Sequence, residues 1–94
     1  METFYQCIYR VTHSFQHDKY GSFNEGEFIS YYWNTARSPA TNKPFTIPSG
    51  AVVHHLGDWF SNNYAVSNFI NDWNFSKNFY HVGTIPYSKK LNHE

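Results

Sequence analysis

Aromatic side chains supply about half of the apolar residues in this chain: nine Phe, eight Tyr and three Trp among 94 residues. Charged residues make up only 15% of the sequence, and a chain with so many rings and so few charges does not remain disordered. Each buried ring removes about 150–250 Å² of surface from water, so a short chain can build a core from few side chains. We therefore expect one small folded domain.

Charge, cysteine content and hydropathy limit the partners, the disulfides and the location that this chain can have. Seven basic and seven acidic residues cancel, so the chain lacks the positive footprint typical of proteins that bind phosphates. The single Cys7 cannot form an internal disulfide. Without a signal peptide or an apolar run near 18 residues, the sequence predicts a cytoplasmic protein that does not enter a membrane.

Hydrophobic spacing predicts an all-α, compact four-helix bundle, because apolar residues recur at i, i+3, i+4 and i+7. The capping box Ser22–Glu25 predicts the start of the second helix, although the Tyr-Tyr-Trp run after it is also good strand material. The predicted helices and their apolar stripes are residues 4–12 (Phe4, Cys7, Ile8, Val11), residues 23–36 (Phe28, Ile29, Tyr32, Trp33, Ala36), residues 50–62 (Val52, Val53, Leu56, Trp59, Phe60) and a segment from Ser67 (Phe69, Ile70, Trp73).

Proline and glycine mark where regular structure is expected to stop. Pro39, Pro44 and Pro48 predict a loop between the second and third helices. Gly57 weakens the third helix by about 1 kcal/mol, which suggests that another element approaches closely there. Gly83 and Pro86 predict an end to regular structure, so residues 1–82 are expected to form a single helical domain and residues 83–94 a mobile tail.

Three short blocks of the sequence resemble the YozE-like, sterile-alpha-motif-like (SAM-like) small helical proteins of low-GC Gram-positive bacteria. They are Phe4-Tyr5-Gln6 with Arg10 and His17-Asp18-Lys19, the Pro44-Phe45 to Pro48 segment, and the run from His55 through Trp59 and Ser67-Asn68-Phe69 to Trp73. The resemblance covers about residues 3–76. It implies a SAM-like helical bundle and a binding role, with no activity to carry over to particular residues.

No pattern in the sequence points to catalysis, a metal or a cofactor. His13 and His17 are four residues apart beside Asp18, but a third ligand is missing, and solvent-exposed loop histidines are the favoured interpretation. Cys7 lies on the apolar stripe of the first predicted helix, where a free cysteine behaves as a small hydrophobe. Walker, HExxH, GxGxxG and nucleophile-elbow motifs do not occur in the 94 residues. We therefore expect a non-enzymatic protein.

Binding to another protein is the favoured function, because interfaces are enriched in Tyr, Trp, Phe and Arg. Phe75, Phe79 and Tyr80 are the first candidates, followed by Tyr5 and Tyr9; the alternative for Phe75 and Phe79 is burial beneath the C-terminal tail. Self-association is a further option. The second hypothesis is weak binding of nucleic acid, in which bases stack on rings beside cations. Its candidate residues are Tyr5, Tyr9 and Arg10, with Trp33 and Arg37 as a second patch.

Overall fold

The computed structural model describes residues 3–33, 47–58 and 61–88, and it shows that the prediction of an all-α, SAM-like four-helix bundle is wrong. Most of the regular structure in these ranges is β-strand. In chain order the elements are β1 (Thr3–Val11), β2 (Phe15–His17), β3 (Gly21–Phe23), β4 (Phe28–Trp33), β5 (Val53–His55), α1 (Tyr64–Asn71), a 3-10 turn (Ser76–Asn78) and β6 (Phe79–Ser88).

The strands form two sheets among the described residues. The larger sheet has the order β5-β4-β1-β6, with antiparallel pairing of β1 to both β4 and β6 and parallel pairing of β4 to β5. The smaller sheet is the hairpin of β2 and β3. Helix α1 packs on one face of the larger sheet, called the α1 face below, and the hairpin packs beside it on the same face.

The first predicted helix is strand β1, and its apolar stripe is divided between the two faces of the sheet. Successive side chains of a strand point in opposite directions. Cys7 and Val11 therefore belong to the α1 face, whereas Phe4 and Ile8 lie on the opposite face. All four are buried. Because side chains on both faces of β1 are buried, apolar residues occur on both faces. Their combined spacing matches that of a helix, although the segment is a strand.

The predicted capping box at Ser22–Glu25 does not start a helix. Ser22 lies in β3, and a reverse turn leads from Asn24 to Glu27, where the Glu27 N–H donates to the Asn24 carbonyl at 3.0 Å. Gly26 has φ +90° at the third turn position, as a type II turn requires. Strand β4 follows, so the strand alternative for the Tyr-Tyr-Trp run is correct.

The third predicted helix is replaced by a turn, strand β5 and a loop. Gly50, with φ +84°, turns the chain before Val53, and the Ala51 N–H donates to the Pro48 carbonyl at 3.1 Å. Gly57 has φ +77°, which is incompatible with a right-handed helix. Several residues of the expected segments lie outside the described ranges, namely Ala36, Arg37, Pro39, Pro44, Phe45, Trp59 and Phe60.

The fourth predicted helix does form, as α1, but with different limits. It begins at Tyr64 after Asn63, so Ser67 is an internal residue rather than the N-cap. Its buried side chains are Val66, Phe69 and Ile70. Trp73 was expected on the apolar stripe, yet it follows the helix and is 82% exposed.

The C-terminal region contributes the longest strand among the described residues. Strand β6 spans Phe79–Ser88, so Gly83 and Pro86 lie inside a strand instead of ending regular structure. A register shift opposite Ile8 and Tyr9 leaves Val82 as an extra residue, and such a bulge locally bends the strand. Residues 89–94 lie outside the described ranges.

Candidate functional site

A two-part groove runs between α1 and the loop that joins β2 to β3, and we call it the α1 groove. Its compartments have volumes of about 500 and 250 Å³ and share Lys19, Tyr20 and Ala65. The larger compartment reaches the N-terminal end of α1, and the smaller one reaches the C-terminal end. The remaining lining residues are Gly57, Asp58, Asn62, Asn63, Tyr64 and Val66 in the larger compartment, and His17, Asn68, Phe69, Asp72 and Phe75 in the smaller.

Helix periodicity explains how α1 lines the groove. Ala65, Asn68, Phe69 and Asp72 are at i, i+3, i+4 and i+7, so one flank of the helix faces the hairpin loop. The opposite wall is formed by His17, Lys19 and Tyr20. The imidazole ring of His17 fixes the loop between β2 and β3. His17 Nδ1 accepts hydrogen bonds from the backbone N–H groups of Lys19 at 3.0 Å and Tyr20 at 3.3 Å.

Aromatic rings pack closely on the floor of the smaller compartment. Phe69 is buried, and its ring centroid lies 4.6 Å from that of His17, 4.7 Å from that of Tyr20 and 5.3 Å from that of Phe75. Such contacts add about 0.5–1.5 kcal/mol per pair to the burial of area. The smaller compartment of the groove therefore has a floor of packed aromatic rings.

The buried side chain of Asn63 fixes the backbone at the end of the groove near the start of α1. Its Oδ1 accepts the backbone N–H of Asp58 at 2.8 Å, while its Nδ2 donates to the carbonyls of Tyr32 at 2.9 Å and Asp58 at 3.3 Å. A Cβ on Gly57 would collide with this amide. The close approach expected at Gly57 is thus real, although a side chain makes it and no helix is present there.

Two exposed rings flank α1. Tyr64 at its first residue is 64% exposed and packs edge-on against Trp33 with a centroid distance of 4.9 Å. Trp73, directly after the groove residue Asp72, is 82% exposed. The Asp72 Oδ1 accepts the Asn74 backbone N–H at 2.8 Å, so the chain turns at this point and leaves the helix.

The predicted patch of Tyr5, Tyr9 and Arg10 is not brought together. Tyr5 and Tyr9 belong to the α1 face, where Tyr9 packs against Tyr31, whereas Arg10 lies on the opposite face. There the Arg10 guanidinium carbon is 5.7 Å from the ring centroid of Tyr80, which is 60% exposed. Arg10 and Tyr80, which were assigned to different hypotheses, therefore form one exposed pair.

The other predicted binding residues are distributed between the core and its border. Phe75 and Phe79 are half-buried and pack on Phe15, at centroid distances of 5.7 and 5.4 Å. Both rings border the core, and Phe75 also lines the smaller compartment of the α1 groove. Trp33 is half-buried against Tyr64, and the Arg37 expected beside it lies outside the described residues.

Cys7 belongs to a polar network between the sheet and α1. Burial raises the pKa of its thiol, although hydrogen bonds with Thr84 and Tyr31 oppose that shift. Burial also raises the pKa of Tyr31, which hydrogen-bonds Tyr9 and, across to the helix, Ser67. The network therefore joins β1, β4 and β6 to α1.

A second polar connection lies at the β5 edge of the sheet. His54 Nε2 and Glu27 Oε1 are 2.8 Å apart, and the His54 ring packs edge-on against Phe23. The hydrogen bond to His54 and that from the Asn24 backbone N–H lower the pKa of Glu27. Across residues 3–33, 47–58 and 61–88, no group of three or more His, Cys, Asp or Glu residues is arranged to hold a metal.

Sequence reasoning missed the α1 groove and the exposure of Trp73. The groove requires the hairpin loop and α1 to be adjacent, which no local pattern indicates. A signal for Trp73 did exist, because Asp72 and Asn74 are typical of a side-chain-capped turn. Such a turn ends the helix before the tryptophan.

Comparisons with protein-family models, curated proteins and solved structures find no significant match. Within the described part of the chain, no helix combines the length and hydropathy needed to cross a membrane.

Proposed function

We propose that this chain is a cytoplasmic, non-enzymatic binding module that recognises an extended segment of another protein in the α1 groove, with Trp73 as an exposed anchor. The exposure of Trp73 carries the proposal, since this ring is 82% exposed while most other large apolar side chains of the described residues are buried or half-buried. Tryptophan is enriched among the residues that dominate binding energy at interfaces.

The dimensions of the groove suit a short extended segment. From Ala65 to Asp72 the helix rises about 10 Å at 1.5 Å per residue. A strand-like peptide advances about 3.3 Å per residue, so about three residues would lie along this flank of α1. The exposed rings of Tyr64 and Trp73 stand near the two ends, where they would contact the flanking residues of such a segment.

Quantitative capture of partners from a lysate of host cells tests the role of Trp73. Trp73→Ala should reduce capture of the specific partner at least tenfold, which corresponds to about 1.4 kcal/mol. Tyr80→Ala is the matched control, because it removes an exposed ring from the opposite side of the sheet. Equal capture by wild type and Trp73→Ala would refute the proposal.

Single-stranded nucleic acid is the second candidate, favoured by the pairing of Arg10 with the exposed Tyr80 ring. A base could stack on Tyr80 while Arg10 contacts its phosphate. In this case Tyr80→Ala, and not Trp73→Ala, would abolish binding to an oligothymidylate. That binding would weaken steeply with salt. Absence of binding at low salt would eliminate this candidate.

A further inference from the structure

The α1 groove has charged walls as well as an aromatic floor. Asp58 lines its larger compartment, Asp72 lines the smaller, and Lys19 lines both. Two carboxylates and one ammonium give these walls a formal charge of −1, in a chain whose formal net charge is zero. The groove is therefore more negative than the molecule as a whole.

A cation already lies against one of the groove rings. The Lys19 ammonium is 5.4 Å from the ring centroid of Tyr20, the aromatic residue that both compartments share. The negative face of a tyrosine ring attracts an ammonium or guanidinium group at this distance. Lys19 is an exposed residue of the hairpin loop, so its flexible side chain could give up this position to a competing cation.

The acidic side chains retain capacity for a ligand. Asp72 uses Oδ1 to accept the Asn74 N–H, and a carboxylate has a second oxygen that accepts further donors. At Asp58 the backbone N–H and carbonyl are engaged by Asn63. Asp58 is an exposed residue of the groove lining, and these backbone contacts leave its carboxylate oxygens able to accept donors from a ligand.

We propose that the segment bound in the α1 groove is basic: a lysine or arginine of the partner lies against Tyr20, pairs with Asp58 or Asp72, and displaces Lys19. This inference rests on the proposed function and names the chemistry of the partner. Lys19 then acts as an internal competitor, because it occupies the ring face and repels the incoming cation.

Removal of the competitor gives opposite results for basic and acidic segments. The probes are two acetylated and amidated pentapeptides, Gly-Arg-Ala-Arg-Gly and Gly-Glu-Ala-Glu-Gly, titrated into the ¹⁵N-labelled full chain. Lys19→Met keeps the apolar stem and removes the charge. The Kd of the arginine peptide should fall about two- to fivefold, with shifts of the Ala65 and Asn68 amide signals, while the glutamate peptide should bind more weakly than to wild type.

A carboxylate variant provides the second arm. Asp72→Asn retains the oxygen that accepts the Asn74 N–H, so the turn after α1 should persist. It should raise the Kd of the arginine peptide about threefold or more. Asp18→Asn is the matched control, because Asp18 is an exposed acid of the hairpin loop outside the groove lining and should change nothing.

The outcomes separate this inference from the proposed function. If the glutamate peptide bound more tightly than the arginine peptide, and Lys19→Met weakened that binding, the proposal of a basic segment would be overturned. The groove would remain a protein-binding site. Failure of both peptides to shift the Ala65 and Asn68 signals would also overturn the inference. The capture experiment with Trp73→Ala then decides independently whether the proposed function holds.

Discussion

The two ends of α1 reverse the usual placement of polar and apolar side chains. Asn63, just before the helix, is 7% exposed, whereas Trp73, just after it, is 82% exposed. Asparagine is mostly a surface residue, and large apolar rings are mostly buried. Asn63 makes three hydrogen bonds to backbone groups. The polar residue therefore holds the fold together, while the apolar residue is available for contact with a partner.

The largest effect is expected at the buried end. Asn63→Ala removes the three hydrogen bonds that join the Asp58 loop to β4, and should lower the free energy of unfolding by about 2–4 kcal/mol. Urea denaturation measures this change. Asn68→Ala, at an exposed helical position, should be neutral or slightly stabilising. Similar stabilities for Asn63→Ala and Asn68→Ala would remove the distinction between the two ends.

A somewhat smaller loss is expected at Gly57. Gly57→Ala forces an alanine to adopt a positive φ, at a cost of about 1–2 kcal/mol, and places its Cβ against the Asn63 amide. Gly50→Ala is the control, since Gly50 has φ +84° with nothing within 4 Å of its added Cβ. The difference in unfolding free energy between the two variants isolates the collision, so equal values would mean that the collision is harmless.

Coupling between the two positions can be measured directly. In the double variant Gly57→Ala/Asn63→Ala, the amide that the new Cβ strikes is gone. The loss of stability should therefore be smaller than the sum of the two single losses. Strict additivity would show that Gly57 acts through its φ angle alone.

The partly exposed contact between Glu27 and His54 should contribute less to the free energy of unfolding than the buried hydrogen bonds of Asn63. The pKa of Glu27 lies below its ordinary value of 4.5 because His54 and the Asn24 N–H hydrogen-bond its carboxylate. The stability it contributes is present above pH 4.5 and disappears as the pH falls through the lowered pKa. Glu27→Gln should thus be less stable than wild type at pH 6 and closer to it at pH 3. Urea midpoints measure this, and Glu25→Gln in the same turn should not reproduce it.

The smallest change in stability is expected at Trp73. Trp73→Ser should alter the unfolding free energy by no more than about 0.5 kcal/mol, even though it removes a large ring. Phe79→Ser, at a half-buried ring of the aromatic cluster, should cost about 2–3 kcal/mol. If Trp73→Ser were as damaging as Phe79→Ser, the tryptophan would have a structural role and the proposed anchor would be lost.

Local sequence signals succeeded where one element buries one face. The spacing of Phe69, Ile70 and Trp73 predicted a helix there, and Phe69 and Ile70 do lie on its buried side, although Trp73 follows the helix. The same reasoning failed for Phe4, Cys7, Ile8 and Val11, because helical spacing and burial of both strand faces produce the same apolar pattern. The positive φ of Gly26 and Gly57 was likewise not encoded in periodicity.

The candidate site, like the fold, was mostly not predicted. The sequence pointed to exposed aromatic residues, and Tyr80 and Trp73 are such residues, but Trp73 was assigned to the core. The groove joins His17 to Phe69 and Phe75 across more than fifty residues of chain. Only the packing of the β2–β3 hairpin beside α1 creates it.

Local sequence patterns were enough to indicate an aromatic-rich core and a helix around Phe69 and Ile70, the one of the four predicted helices that forms among the described residues. Tertiary structure decided the β architecture, because β1 gains its place between β4 and β6 only by pairing with residues distant in the chain. It also decided the burial of Asn63, whose amide reaches the Tyr32 carbonyl from 31 residues away in the chain. The exposure of Trp73 combines both levels, because the local turn at Asp72 ends α1 before the ring and the packing of α1 leaves that ring outside the core.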